Sequence, residues 1–193
     1  ARKLQCSGHT VRLISPQSVR PYVKSNKNDR ADAQAICEAV ARPSMRFVAV
    51  KTPEQQALLA VHRARQGFVK MRTALANQIR GLLSEFSIVM AQGLRVVLLQ
   101  AAVMAADERL CLPAPMRTLI AQLHQQLKAL DEQVSQLEQI IAATAQPDSL
   151  ERRLQQVPGI GPITSSALVA TVGDAALFAN GRQLAAWLGL VPR

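Results

Sequence analysis

MRTLIAQLHQQLKALDEQVSQLEQII, residues 116–141, decides the fold class. Met116, Ile120, Leu123, Leu127, Leu130, Val134, Leu137 and Ile141 recur at alternating steps of four and three without a break. Residues so spaced share one stripe of an α-helix, and a stripe of that period is the seam of a coiled coil or a long helical hairpin. The segment therefore predicts a long helix with a helical partner. Two partners fit: the helix expected over 53–86, or a second protomer.

Upstream, TPEQ (52–55) has Thr at the N-cap, Pro at the first helical position and Gln at the third, a capping-box start. From there Phe68, Met71, Leu75, Ile79, Leu82 and Phe86 share a face, so a helix is expected to about Phe86. Another is expected over roughly 94–110, ending before Pro113 and Pro115. The first fifty residues read differently. VRLI (11–14) and MRFVAV (45–50) are strand candidates, and a helix from about Asp29 to Val40 lies between them, stopped by Pro43. AQPDS (145–149) is a boundary, where Pro147 ends the long helix and Asp148 can cap the next. The expected architecture is mostly α with a small α/β part: 1–50, a helical connector over 51–146, and a helical tail over 147–193.

Composition narrows the function classes. Of 193 residues 49% are hydrophobic but only 3% aromatic, so a core is built from aliphatic side chains. Cys6, Cys37 and Cys111 are odd in number and far apart, which suggests neither a disulfide framework nor a zinc site and fits a reducing cytoplasm. The longest apolar run, Val96–Leu99 with Ala101–Ala106, is too short to span a bilayer. No HxxxH, CxxC or Walker pattern occurs, and His9, His62 and His124 are isolated. Charge is the more informative total. Residues 1–80 carry 15 Lys/Arg against four acids, a net of +11, whereas residues 81–193 carry eight against nine, a net of −1. Such asymmetry points to a polyanionic partner for the first part, because neutralising phosphates releases counterions.

Two motifs carry candidate chemistry. VPGIGPITSSALVATVG (157–173), after SLERRLQQV (149–157), has the form of a helix-hairpin-helix. Gly159, Ile160 and Gly161 form the turn, Pro162 starts the second helix, and Thr164 lies in its first turn, where amides can face a phosphate. The bland alternative is a turn that only packs two helices. Ser165 and Ser166 have no His or Lys at an activating spacing, so they read as helix-surface and packing residues, and Trp187 as a packing residue. The second motif is KSNKNDRADAQAI (24–36), where Asp29 and Asp32 stand one helical turn apart among Lys24, Lys27 and Arg30. Two carboxylates on one face suit Mg²⁺, which takes one or two protein carboxylates plus water and phosphate oxygens. They equally suit the first turn of a helix capped by Asn28 or by Asp29 itself, where the macrodipole favours each acid by roughly 0.3–1 kcal/mol.

Taken together these residues resemble the DEDD-type insertion-sequence transposases. VRLISPQSVRPYVKSNKNDRADAQAICEAVAR looks like the end of that family's ribonuclease-H-like N-terminal domain, and RRLQQVPGIGPITSSALVATVGDAALFANGRQLAAWLGLVPR like the start of its C-terminal transposase domain. The resemblance implies Mg²⁺-dependent DNA recombination, with Asp29 and Asp32 matching the last two of four acids. It also implies DNA and a guide RNA as partners, homo-oligomers joined by the coiled coil, no membrane, and a cytoplasmic location. The family's first Asp, its Glu and its nucleophilic Ser have no counterpart between Ala1 and Arg193. An internal fragment without transposition activity of its own is therefore expected. The alternative is a non-catalytic nucleic-acid-binding and oligomerisation module, a transposon remnant.

Overall fold

The structure is a computed structural model and describes residues 1–193 apart from 24–27, 44, 46, 147–148, 174 and 191–193. The chain divides into two compact units, Ala1–Pro53 with Val172–Arg193, and Glu54–Thr171. Among the described residues it is predominantly helical, as expected, and no helix is long and apolar enough to cross a membrane.

The larger unit is built on two long helices, α4 (Pro53–Ser84) and α6 (Ala114–Ala143), with α5 (Leu94–Ala106) between them in sequence. Arg65 on α4 pairs with Glu138 on α6, and Arg72 pairs with Asp131. Moving seven residues forward on α4 thus moves seven back on α6, so the helices run antiparallel. The seam's partner lies in the same chain. Ile120, Leu127, Val134 and Ile141 are buried, while Met116, Leu123, Leu130 and Leu137 are half-buried. Alternate seam positions therefore bear most of the packing, each buried aliphatic contributing about 1.5–3 kcal/mol.

At one end of the pair α5 closes the core. Its Val97, Ala101 and Ala105 pack with Ile79 and Leu83 of α4 and Ile120 and Leu127 of α6. His124, buried on α6, is satisfied by a 2.8 Å hydrogen bond between its Nε2 and the Leu98 carbonyl. The expected helix over 94–110 stops at Ala106 and resumes as a 3-10 turn, Glu108–Leu110. Asp107 explains the break: its carboxylate accepts the Arg109 backbone N–H at 3.0 Å and pairs with the Arg109 guanidinium at 2.8 Å, capping a new turn. The unit ends in α7 (Leu150–Leu154) and α8 (Pro162–Val172). The cap of α7 is Ser149, whose hydroxyl accepts from the Arg152 N–H; Pro147 and Asp148 lie outside the described residues.

The smaller unit holds α1 (Arg2–Cys6), α2 (Pro16–Val19), α3 (Asp29–Val40) and α9 (Gly181–Trp187). Helix α3 keeps the bounds expected of it and packs against α2 and the 3-10 turn Arg20–Tyr22, burying Ala35 and Ala39. Among the described residues the two expected strands meet only once. Leu13 and Val48 form an isolated antiparallel bridge, with the Val48 N–H donating to the Leu13 carbonyl at 2.7 Å. A lone pair of short strands has little stability without a third strand or a buried face, which accounts for the contraction. Trp187 packs edge-on to Phe178, ring centroids 5.5 Å apart.

Candidate functional site

The candidate residues fall into two groups, one in each unit. The first is the N-terminus of α3. Asn28 has extended backbone, and its side-chain oxygen accepts the Ala31 N–H at 2.7 Å, so it is the N-cap. Asp29 and Asp32 follow in the first turn, Asp29 exposed and Asp32 half-buried. The cap being filled, neither carboxylate is needed to close the helix end, and neither has an ion-pair partner among the described residues. Arg30 is exposed beside them; Lys24 and Lys27 lie outside the described residues. Among the described residues no three His, Cys, Asp or Glu side chains come together as a metal site. The donor set here is thus two carboxylates on one helical face, which fits a share of an octahedral Mg²⁺ shell completed by water and phosphate.

The second group is the turn between α7 and α8. The Ile160 N–H donates to the Val157 carbonyl at 3.1 Å, closing a four-residue turn with Pro158 and Gly159 at its centre. Gly159 has φ +89°, the left-handed value that the third position of a type II turn requires and that L side chains resist. Gly159, Gly161 and Thr164 are exposed and Ile160 is half-buried. Because Pro162 begins α8, the N–H groups of Ile163 and Thr164 have no acceptor within the helix.

Ser165 and Ser166 lie behind this turn, both buried. Ser165 Oγ donates to the Pro162 carbonyl at 3.1 Å and accepts from Gln155 Nε2 at 3.0 Å, tying α8 to the end of α7. Ser166 Oγ is 3.1 Å from Nε2 of His62, on α4. No spacing in the sequence announces this His–Ser contact, since the partners are 104 residues apart. Burial and then the nearby Arg65 charge hold the His62 pKa below its usual value, favouring neutral imidazole. A buried hydroxyl cannot reach a substrate, so the pair fastens helices.

An acidic pair at the start of one helix and a glycine turn at the start of another thus stand on an aliphatic helical scaffold. Sequence comparison supplies the family. Residues 151–193 match the model of the transposase IS116/IS110/IS902 family, and residues 2–88 match the DEDD transposase model of the IS110 group. A probable family 20 transposase of Pseudomonas aeruginosa is 50% identical over 194 residues, covering 100% of this chain and 57% of that protein. The transposase for insertion sequence element IS1328 of Yersinia enterocolitica is 44% identical over 193 residues, covering 100% of the chain and 57% of its own length. The transposase for element IS1111A of Coxiella burnetii is 45% identical over 186 residues, covering 96% and 51%. The chain belongs to the IS110-type insertion-sequence transposase family. It spans about half the length of the curated relatives it matches. No solved structure matches it.

Proposed function

We propose that this chain is a nucleic-acid-binding segment of a transposase that recombines the DNA of an insertion element. The observation that carries the reading is that Asn28, not an aspartate, caps α3, which leaves Asp29 and Asp32 available in a basic segment. In the complete protein Asp29 and Asp32 hold Mg²⁺ with two further acids, within a ribonuclease-H-like domain. The ion would supply charge neutralisation at the attacking and leaving oxygens of a phosphodiester. Lys24, Lys27 and Arg30 draw the phosphate toward that pair. The turn Gly159–Gly161 with Thr164 works as a helix-hairpin-helix grip on the sugar-phosphate backbone, positioning DNA without reading bases. A guide RNA would share the same basic surface.

In a complete transposase carrying this segment, Asp29→Ala or Asp32→Ala should abolish recombination while the circular dichroism spectrum is unchanged. Full activity in both variants overturns the metal assignment.

One observation favours a second reading, a binding and assembly module without chemistry: among the described residues no third potential ligand joins the two aspartates. That reading expects DNA binding indifferent to both substitutions. Self-association through the seam would use the half-buried row at Leu123, Leu130 and Leu137, since Ile120 and Leu127 already pack with α4 and α5.

A further inference from the structure

Helix α4 carries five cations, Arg63, Arg65, Lys70, Arg72 and Arg80, and a single acid, Glu54, in its first turn. The partner helix answers only some of them. Glu138 pairs with Arg65 and Asp131 with Arg72, both at the flank of the α4–α6 interface. Arg63 and Lys70 are exposed on the opposite side of the helix, seven residues apart, and neither has a carboxylate partner among the described residues. Seven residues are two helical turns, so these charges stand about 10.5 Å apart along one line.

Small residues line one side of that row, with Met71 and Gln78 exposed among them. Ala60, Gly67, Ala74 and Gly81 are exposed and also recur every seven residues, beside the cations. A Cβ added at Gly67 or Gly81 would meet nothing within 4 Å, so no packing inside the chain calls for glycine at either position. Each glycine nevertheless costs the helix about 1 kcal/mol relative to alanine. Between Arg63 and Lys70 the face carries no acid, so a polyanion's backbone can approach that stretch; Glu85, exposed one turn beyond Gly81, bounds it. It is a poor face for a second copy of α4, which would set Arg63 and Lys70 against their own counterparts. It also lacks the aromatic anchors that protein partners bury.

We propose that this solvent face of α4 is a docking surface for the phosphate backbone of duplex DNA, with Arg63 and Lys70 as its two phosphate contacts. A straight helix holds its charges at a fixed separation, and a duplex keeps its phosphates at fixed spacing, near 3.4 Å of axis per phosphate on each strand. The inference rests on the nucleic-acid reading above and adds a second contact region to it.

The test is a salt titration of binding to a fluorescent duplex, comparing the chain with Arg63→Gln/Lys70→Gln and with Arg95→Gln/Lys128→Gln. The second pair removes the same charge from exposed residues outside this face. The α4 variant should flatten the slope of log affinity against log salt by about 1.8, that is about 0.9 for each lost phosphate contact, with unchanged helicity. The control pair should leave the slope near that of the unaltered chain. An unchanged slope in the α4 variant, or equal flattening in both variants, overturns the α4 surface while nucleic-acid binding stands. If the unaltered chain shows no salt-dependent binding, the nucleic-acid reading itself fails, and the α4 surface with it.

Discussion

His62 Nε2 and Ser166 Oγ meet at 3.1 Å, joining α4 to α8 within one unit. The contact ties the helix behind the Gly159 turn to the long hairpin, and the imidazole is held neutral by burial and by Arg65. Because the folded pKa lies below the ordinary 6.5, the unfolded chain takes up a proton first as pH falls. The stabilising contribution is therefore complete above about 6.5 and is lost as pH falls toward the lowered folded value. Thermal melts should show stability declining over that window, and His62→Gln should flatten the decline. A melting temperature independent of pH there would remove His62 from the account.

The antiparallel pairing of α4 with α6 makes a graded prediction for the seam. Leu127 is fully buried, so Leu127→Ala should cost about 2–5 kcal/mol by urea unfolding. Leu130→Ala, at a half-buried position, should cost clearly less. The reverse order would mean that α6 presents a different face to its partner.

At the start of α3 the cap and the acids separate. Asn28→Ala removes the 2.7 Å bond to the Ala31 N–H and should cost roughly 0.5–2 kcal/mol. Asp29→Ala removes only a macrodipole contribution of about 0.3–1 kcal/mol. Chemical denaturation followed by far-ultraviolet dichroism ranks the two. A larger loss for Asp29→Ala would make that carboxylate structural.

The two turn glycines also separate. Gly159→Ala must place a Cβ at φ +89° and should destabilise by about 1–2 kcal/mol. Gly161 has no positive φ and open space around it, so Gly161→Ala should keep stability and weaken DNA binding by obstructing backbone approach. Equal binding by Gly161→Ala and the unaltered chain would leave the turn a packing element.

Much of this was legible from local pattern. The heptad row of 116–141, the capping spacing of TPEQ and the position of Pro162 announce α6, α4 and α8 because helices are fixed by neighbours three and four residues away. The strands expected at 11–14 and 45–50 reduce to one bridge among the described residues, since strand pairing depends on partners that alternation alone cannot supply. The contacts that fasten one element to another were hidden. His62–Ser166, His124–Leu98 and the two Arg–carboxylate pairs link residues 26 to 104 positions apart. The Asp29–Asp32 pair was visible, but its freedom from capping was not, because Asn28 and Asp29 are equally good caps on paper.

The most direct measurement is anisotropy of a labelled DNA duplex titrated with this chain at several salt concentrations. Affinity should fall linearly on logarithmic axes as salt rises, and scrambling the duplex sequence should change it little. Affinity that is absent at low salt, or unmoved by salt, would contradict a segment built to meet phosphate.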